Sequence, residues 1–297
     1  MSTASSLSAP NPTSPVTLRA LFRQRHFRPR RSLGQTFLTD ANIVAKIVEA
    51  AELTGREPVL EIGPGAGAVT RALVGAPRVL AIEIDPTLVA ILRETVGESV
   101  EVVQADVLAV DWRHLLGGSG GTRWRAVANL PYAITGPAIL HLLAARQWLD
   151  RMVIMVQAEV AARILAPPGG RQRGLLSVVV QASCEVRPVW RVARTCFWPQ
   201  PEVDSAILAL TVRRPPLVPH ALQPLFMKVV RAAFGARRKT LLNALPQSAE
   251  LGLPKEEGRA LLASCEIEER RRAETLSEDE FLRLAQALDR RDREGRE

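Results

Sequence analysis

The chain has 297 residues, 47% of them hydrophobic, a formal net charge of +8 and a pI near 10.3. This length predicts about two domains, and the sequence has no apolar run of 18 residues, which argues against a membrane span. The basic charge favours a polyanionic partner, nucleic acid rather than a membrane surface, while three scattered cysteines argue against disulfides or a zinc site and indicate a reducing, cytoplasmic compartment.

Residues 1–30 are predicted to form a disordered, basic N-terminal tail. Ser, Thr and Pro dominate as far as Pro15, arginines accumulate after it, and the first acid is Asp40. Such a segment buries too little apolar surface to offset its ordering entropy. Two functions remain open, an organellar transit peptide or an arm that grips RNA, and the absence of a recognisable cleavage site favours the arm.

Order is predicted to begin at residues 32–38, which read Ser-Leu-Gly-Gln-Thr-Phe-Leu. Asp40 then caps a helix whose apolar side chains recur at helical spacing and which ends near Gly55. We expect this helix to pack over a nucleotide site.

An apolar strand that starts near Pro58 leads into three closely spaced glycines, Gly63, Gly65 and Gly67, and then into a helix. Glycines at such a turn let the backbone approach a nucleotide closely. Ala68 stands where the dinucleotide motif G-x-G-x-x-G requires its last glycine, which argues against NAD.

The next two predicted strands end in acids. The strand at residues 79–85 carries Glu83 at the position of a carboxylate that accepts hydrogen bonds from both ribose hydroxyls. The strand at residues 100–106 ends in Asp106, placed to meet an adenine amino group. Glycines and acids at three consecutive strand ends together predict a nucleotide site.

The segment Asn129-Leu130-Pro131-Tyr132 follows the fourth strand and is the predicted reaction centre. The Asn129 side chain offers a carbonyl acceptor, and Pro131 is expected to keep the backbone from closing into a helix, which leaves nearby carbonyls free to accept. Two acceptors suit an exocyclic amine with two hydrogens. Tyr132 supplies a flat face for stacking a base. On these four residues alone, an ordinary Asn-x-Pro turn has the same pattern.

The remaining periodicity predicts helices at residues 139–149 and 159–165 and strands at residues 152–157, 175–184 and 206–212. The start of residues 175–184 fits a helix as well as a strand. After the prolines of residues 215–219 every periodic segment is helical, and Ser277 with Glu280 predicts a capping box that opens the last helix.

These motifs and their order resemble the class I S-adenosylmethionine-dependent methyltransferases and, more narrowly, the small-subunit ribosomal RNA adenine dimethyltransferases of the KsgA/RsmA group. The resemblance covers about residues 30–290 and rests on residues 33–38, 61–70, 129–132, 197–205 and 237–241. It implies an α/β fold with a Rossmann-like methyltransferase domain at residues 31–213. That domain would contain a mostly parallel seven-stranded sheet with helices on both faces. A small all-α domain that binds RNA or the ribosome would follow at residues 214–297.

The resemblance also implies the reaction and its partners. S-adenosyl-L-methionine would be the cofactor, and two adjacent adenosines near the 3′ end of small-subunit rRNA would become N6,N6-dimethyladenosine. The expected substrate is an immature small ribosomal subunit, with a role in subunit biogenesis, and the expected state of the protein is a monomer.

Site residues carry over by position. The resemblance implies cofactor contacts at Thr36, Leu38, Gly63, Glu83, Asp106 and Asn129. Gln35 and Gly65 are two further candidates for such contacts. The family usually has Asn where Thr36 and Ala133 stand, so side-chain contacts at these two positions are in doubt.

For the amine, the expected acceptors are the Asn129 side chain and a carbonyl of Leu130 or Pro131, which would favour a pyramidal N6. Transfer would then be in line, with no catalytic acid or base. Tyr132 and Phe197 would hold the unstacked base. The basic cluster of Arg237, Arg238 and Lys239 would contact RNA phosphates.

Two alternatives stay open. The chain would serve as a mainly non-catalytic assembly factor on immature subunits, or it would be a 23S rRNA adenine methyltransferase of the type that confers macrolide resistance. The motif of residues 197–205 and the long helical region after it argue against the second alternative.

Overall fold

The computed structural model describes residues 11–30, 34–118, 121–236 and 238–294. Its strands are β1 Phe37–Leu38, β2 Val59–Ile62, β3 Val79–Glu83, β4 Glu101–Gln104, β5 Trp124–Asn129, β6 Leu149–Gln157, β7 Cys184–Val192, β8 Phe197–Trp198 and β9 Ser205–Val212. Its helices are α1 Pro15–Gln24, α2 Ala41–Ala51, α3 Thr70–Leu73, α4 Pro86–Val96, α5 Trp112–Leu116, α6 Thr135–Ala144, α7 Ala158–Leu165, α8 Leu175–Ser183, α9 Gln223–Gly235, α10 Leu241–Ala244, α11 Lys255–Ser264 and α12 Glu278–Glu294.

Seven strands form one sheet in the order β4-β3-β2-β5-β6-β9-β7. The pairs from β4 to β6 are parallel, and β9 runs antiparallel to β6. Every residue of β2 and β3 is buried, as expected for strands with both faces covered. The direction in which successive strands are added reverses between β2 and β5, and in open α/β sheets ligands bind at such a switch point. The predicted mostly parallel seven-stranded sheet is confirmed.

Helix α2 begins where the sequence predicted. The Asp40 carboxylate accepts the N–H groups of Asn42 at 2.8 Å and Ile43 at 3.3 Å, which satisfies two donors of the first turn. The apolar face of α2 packs into the same core cluster as the central strands, through Ile43, Val44 and Ile47.

The prediction of a disordered tail is wrong for Pro15–Gln24, which forms α1. Ser14 caps this helix, since its Oγ accepts the N–H of Thr17 at 3.3 Å. The buried side chains of α1 are Leu18, Leu21 and Phe22. They recur at three- and four-residue spacing, so a basic, proline-flanked segment still presents one apolar stripe, which its average composition conceals. Residues 1–10 lie outside the described residues.

Helix α1 packs against the segment that precedes α2. The Phe22 ring lies 4.8 Å from that of Phe37, edge to face, and both belong to a cluster that includes Leu88 of α4. The guanidinium of Arg25 pairs with the carboxylate of Glu94, also on α4. The N-terminal segment is therefore part of the folded unit that contains the sheet.

Two predicted elements in the middle of the chain have other bounds in the structure, and the strand predicted at residues 175–184 is wrong over most of its length. Leu175–Ser183 is helix α8, and the strand starts only at Cys184. The Gly174 N–H donates to Ser177 Oγ at 2.9 Å, so a side chain at the third helical position satisfies the helix start, and a valine-rich run becomes helical. The helix predicted at residues 139–149 is α6, and Leu149 already begins β6.

The chain divides into two compact units, Met1–Ala161 with Arg187–Thr211, and Ala162–Val186 with Val212–Glu297. The predicted boundary at residues 213 and 214 therefore differs from the structure, because Ala162–Val186 joins the C-terminal helices. No described helix has both the length and the apolarity needed to cross a membrane.

The capping box predicted in the helical unit is confirmed. The Ser277 N–H donates to Glu280 Oε2 at 2.8 Å, and the Glu280 N–H donates to Ser277 Oγ at 3.2 Å. The flanking Leu276 and Phe281 are fully buried, as a hydrophobic staple requires. This local motif fixes where α12 begins.

Candidate active site

A cavity of about 250 Å³ opens at the carboxyl ends of β2, β3 and β5, within the unit that contains the sheet. Most of the predicted site residues line it, namely Gln35, Thr36, Leu38, Gly63, Gly65, Glu83, Asp106, Asn129, Leu130 and Pro131. Parallel strands end at the same edge, which brings side chains far apart in sequence to one place. Tyr132 and Phe197 are not among the residues that line this cavity.

Two glycines allow the separate motifs to approach each other. Gly63 has φ +69°, and a Cβ there would lie 3.1 Å from the Asn129 carbonyl oxygen. A Cβ at Gly34 would lie 3.3 Å from the backbone N of Tyr132. The glycine turn after β2 and the segment before β1 thus both press against the Asn129–Tyr132 segment, and a side chain at either glycine would push them apart.

Glu83 is held rigidly at the end of β3. Its Oε1 accepts the N–H groups of Ile84 at 2.9 Å and Asp85 at 3.0 Å, and its Oε2 accepts the Gly65 N–H at 3.2 Å. Burial raises the pKa of this carboxyl, and these N–H groups oppose the shift. Three donors leave part of the acceptor capacity of a carboxylate free, as a ligand with two neighbouring hydroxyls would need.

The other two strand-end acids differ in function. Asp85 caps α4, since its Oδ1 accepts the Thr87 N–H at 2.9 Å and the Leu88 N–H at 3.4 Å, so it is a structural residue. Asp106 is exposed at the cavity wall, and its Oδ1 accepts the Leu108 N–H at 2.9 Å. Asp106 therefore faces the cavity from a fixed turn.

The segment before β1 supplies three predicted contacts. The Gln35 amide is already engaged, because its Oε1 accepts the Arg30 N–H at 2.8 Å and its Nε2 lies 3.5 Å from Asp85 Oδ2. Gln35 thus ties the N-terminal segment to the end of β3. Thr36 is half-buried, and Leu38 is buried where β1 pairs with β8.

Two carbonyls of the Asn129–Pro131 segment differ in whether they already accept hydrogen bonds. We call an acceptor open when no described residue donates to it. The Pro131 carbonyl accepts both the Ile134 N–H and the Thr135 hydroxyl, each at 3.1 Å, so its two lone pairs are occupied. Among the described residues, nothing donates to the Leu130 carbonyl, and the Asn129 side chain has no hydrogen-bond partner. The expectation that Pro131 keeps nearby carbonyls free is therefore wrong for its own carbonyl, because the chain turns into a short 3-10 helix at Tyr132–Ile134.

The two aromatic candidates occupy different positions. Tyr132 is half-buried, and its hydroxyl lies 3.0 Å from Ser205 Oγ. This contact fixes the ring beside Asn129–Pro131, which we call the reaction segment. Phe197 is 4% exposed and packs in the hydrophobic core with Leu38, its partner across β1 and β8. The structure thus gives Phe197 a packing position, and its predicted contact with a base stays a prediction.

The candidate RNA contacts lie in the helical unit. Arg238 and Lys239 are exposed after α9, whereas Arg237 lies outside the described residues. Exposed cations at a turn are accessible to phosphates, but their position alone does not identify RNA.

Several residues of the cavity wall were not predicted from the sequence, and Glu61 and Pro12 are two of them. Glu61 is a carboxylic acid inside an otherwise apolar strand, which is a recognisable signal because ionisable groups are rarely buried without a purpose. Pro12 carries no such signal, because only the packing of α1 brings it to the wall.

Burial raises the pKa of Glu61 to about 7, with polar groups of Thr70 opposing the shift and the Glu83 charge adding to it. Within the described part of the chain, neither Glu61 Oε2 nor Thr70 Oγ1 has a hydrogen-bond partner. Of the residues that line the cavity, the ionisable ones are Glu61, Glu83 and Asp106, all acids. The wall is therefore suited to a cationic ligand.

The sheet is open and mostly parallel. A glycine turn follows β2, acids stand at the end of β3 and just after β4, and the segment Asn-Leu-Pro-Tyr ends β5 and follows it. Together these features define a Rossmann-like methyltransferase of class I. Comparison with known proteins identifies the family within this class. The profile described as ribosomal RNA adenine dimethylase matches residues 26–290. The chain belongs to the ribosomal RNA adenine dimethylase family, and the predicted family and enzyme class are confirmed.

Relatives of high similarity carry one name. The ribosomal RNA small subunit methyltransferase A of Moorella thermoacetica is 48% identical over 278 residues, which cover 91% of this chain and 96% of the relative. The protein of that name from Pelotomaculum thermopropionicum is 45% identical and covers 93% of this chain and 96% of its own length.

Two solved structures share the fold over nearly their full length. A dimethyladenosine transferase from Plasmodium falciparum has a TM-score of 0.73 at 26% identity, covering 86% of this chain and 98% of its own. The 23S rRNA methyltransferase ErmE has a TM-score of 0.63 at 30% identity, covering 85% and 99%.

Proposed function

We propose that this enzyme transfers methyl groups from S-adenosyl-L-methionine to N6 of two adjacent adenosines near the 3′ end of small-subunit rRNA. The observation that carries the proposal is the pair of open acceptors, the Asn129 side chain and the Leu130 carbonyl, beside a cavity with acidic walls. The shared name of the relatives with 48% and 45% identity supports small-subunit rRNA as the substrate.

The residues of the cavity fit this cofactor. The glycine turn leaves room for backbone contact, Glu83 retains acceptor capacity for the ribose hydroxyls, and Asp106 is placed for the adenine amino group. The unpartnered Glu61 oxygen and the all-acid wall suit a ligand with positive charge. When bound, the cofactor would supply a methyl group attached to a positively charged sulfonium. The thioether is a good leaving group, so the methyl group needs no further activation.

The open acceptors define how the amine is held. Because the Pro131 carbonyl is already occupied, the two N6 hydrogens are accepted by Asn129 Oδ1 and the Leu130 carbonyl. Accepting both hydrogens favours a pyramidal nitrogen whose lone pair points into the cavity. The Leu130 N–H, which donates to the Met155 carbonyl at 3.3 Å, anchors this acceptor to β6.

No general base is assigned, and the proton that N6 loses with each methyl transfer is released to the buffer. Tyr132 is the ionisable residue of the Asn129–Pro131 segment and its neighbours, and its hydroxyl is engaged with Ser205. Positioning and electrostatic complementarity therefore supply most of the acceleration. Tyr132 stacks against the unstacked base, while Arg238 and Lys239, with Arg237, contact phosphates of the RNA.

Labelled S-adenosylmethionine incubated with the protein and ribosomal subunits that lack this modification provides the test. Small and large subunits are supplied in separate reactions, and the RNA is digested to identify the modified nucleoside. We expect labelled N6,N6-dimethyladenosine from small subunits alone. Label in cytosine or in protein would overturn the proposal. Label in large-subunit RNA would instead favour the activity named for ErmE, whose structure is similar to 85% of this chain.

A further inference from the structure

The Glu61 carboxyl lies in the cavity wall, and it is the acid of that wall to which no particular group of the cofactor has been assigned above. It is 3% exposed in the middle of β2, and its Oε2 has no hydrogen-bond partner in the described part of the chain. A buried carboxylate with an unpartnered oxygen is unfavourable, so this group is either protonated or stabilised by a positive charge that a ligand supplies.

Charged groups around Glu61 do not compensate it. From β3, Glu83 faces it with the same sign, and the segment after β4 contributes another acid, Asp106. The lining residues of the other elements around the cavity are not ionisable, namely Ile47 of α2, Val127 of β5 and Val153 of β6. Lys46 of α2 pairs with Glu49 at the surface, 3.0 Å away.

The other two carboxyls of the wall differ from Glu61. Glu83 is held by three backbone N–H groups, and Asp106 is exposed and accepts the Leu108 N–H. Solvent and these donors stabilise their negative charges in the absence of a ligand. Glu61 is shielded from solvent, only polar groups of Thr70 favour its charged form, and its Oε2 has no partner in the described part of the chain. Its ionisation therefore depends most on what occupies the cavity.

Methyl transfer changes the charge of the cofactor. The methyl donor carries a positively charged sulfonium, and the thioether left after transfer does not. A nearby carboxylate therefore interacts favourably with the donor and much less with the product.

We propose that Glu61 makes the cavity discriminate between the cationic methyl donor and the uncharged thioether product, so that the spent cofactor is bound more weakly and leaves. This inference rests on the proposed function, because it concerns the same cavity and the same cofactor. Binding of the donor shifts Glu61 to its carboxylate and releases its proton to the buffer, whereas binding of the product leaves more of the carboxyl protonated.

The pH dependence follows from the position of this group. Burial raises the pKa of Glu61 to about 7, so in the free protein it is protonated below that value and ionised above it. The preference for the donor over the product should therefore grow as pH rises through 7. A purely structural role for Glu61 would give no such change in the ratio of the two affinities.

Titration calorimetry of the full-length protein with S-adenosylmethionine and S-adenosylhomocysteine tests the proposal. Dissociation constants are measured at pH 6 and pH 8.5, and at pH 7 in two buffers with different ionisation enthalpies to count released protons. The variants are Glu61→Gln and, as a control, Glu98→Gln, which removes the same charge from an exposed position.

We expect the donor preference of the wild type to rise by about tenfold from pH 6 to pH 8.5, and that of Glu61→Gln to stay constant. At pH 7 donor binding should release on the order of half a proton in the wild type and in Glu98→Gln, and none of this in Glu61→Gln. An unchanged preference across pH in the wild type would overturn the proposal, even if Glu61→Gln fails to fold. Equal proton release by the wild type and a folded Glu61→Gln would overturn it as well.

Failure of the proposed function has a different signature. A wild-type protein that binds neither compound at either pH has no site for this cofactor, which overturns the proposed function and this inference together. A protein that binds both compounds with a constant ratio retains the function and loses only the role of Glu61.

Discussion

In the helical unit, the guanidinium of Arg173 is 1% exposed and is surrounded by acceptors, whereas in the cavity the similarly buried Glu61 has an oxygen with no partner. Arg173 donates to the carbonyls of Ala166 at 2.9 Å and Leu276 at 3.0 Å and pairs with Glu278 at 2.6 Å, although its Nε has no partner in the described part of the chain. The helical unit pairs its buried guanidinium with an acid and two carbonyls of its own, whereas the cavity offers the buried Glu61 no opposite charge and leaves one of its oxygens without a partner.

This difference separates a structural site from a binding site. A buried charge that the fold compensates contributes to holding the elements together, while an uncompensated one lowers stability unless a ligand supplies the opposite charge. The reaction segment shows the same contrast at neutral acceptors. The Pro131 carbonyl is closed by two internal donors, and the Leu130 carbonyl beside it is open.

The largest effect is expected from removing an open acceptor. Asn129→Ala should lower the rate of methyl transfer on the order of 10³-fold, because N6 loses one of its two acceptors, and should alter cofactor affinity much less. Single-turnover rates and calorimetric cofactor affinities measure the two effects. The matched control is Asn243→Ala, which removes an exposed amide from the helical unit and should leave transfer unchanged. Wild-type rates in Asn129→Ala would show that the open acceptors do not hold the amine.

Breaking the compensated charge should act on stability instead. Arg173→Met leaves Glu278 and two carbonyls without their donor, and we expect a loss of about 3 kcal/mol of unfolding free energy, measured by urea titration. The control is Arg259→Met, which removes an exposed arginine paired with Glu256 and Glu269, and which should lower stability much less because solvent screens these ion pairs. Equal losses in the two variants would remove the distinction drawn for Arg173.

The uncompensated carboxyl should make stability depend on pH without any ligand. The folded protein keeps the proton on Glu61 up to its pKa of about 7, while the unfolded chain releases it near the ordinary value of 4.5. The Glu61 contribution to the unfolding free energy is therefore complete below pH 4.5 and is lost as pH rises through 7. The loss should reach at most about 3 kcal/mol.

Urea titrations of the ligand-free wild type and Glu61→Gln across this pH range measure that contribution. The stability of Glu61→Gln relative to the wild type should increase steadily with pH. Parallel pH profiles for the two proteins would mean that Glu61 does not hold the proton.

The smallest effect concerns exposed charges that neither region buries. Arg238→Gln with Lys239→Gln should weaken RNA binding and reduce the slope of log affinity against log salt by about two. Arg291→Gln serves as control, because its guanidinium already pairs with Glu257 and Asp292. A salt slope that falls equally in both variants would argue against phosphate contacts at Arg238 and Lys239. Filter binding at several salt concentrations provides the measurement.

The sequence by itself determined the features that depend on neighbours in the chain. The positions of Gly63, Glu83, Asp106 and Asn129 at strand ends follow from short apolar runs and the residues that stop them. The Asp40 cap and the Ser277–Glu280 capping box follow from side chains that reach a backbone group two or three residues away. Parallel strands place such ends at one edge, so the location of the cavity followed as well.

Tertiary structure alone decided which of these groups are satisfied. The burial of Phe197 depends on pairing with Leu38, far away in the chain, and the isolation of Glu61 depends on what β3 and β5 place beside β2. The packing of α1 was missed, and periodicity left the choice between helix and strand open at the start of residues 175–184, because local composition does not contain the contacts that stabilise either helix. Whether a buried polar atom finds a partner is a property of the assembled core, so it can be known only when the distant segments are in place.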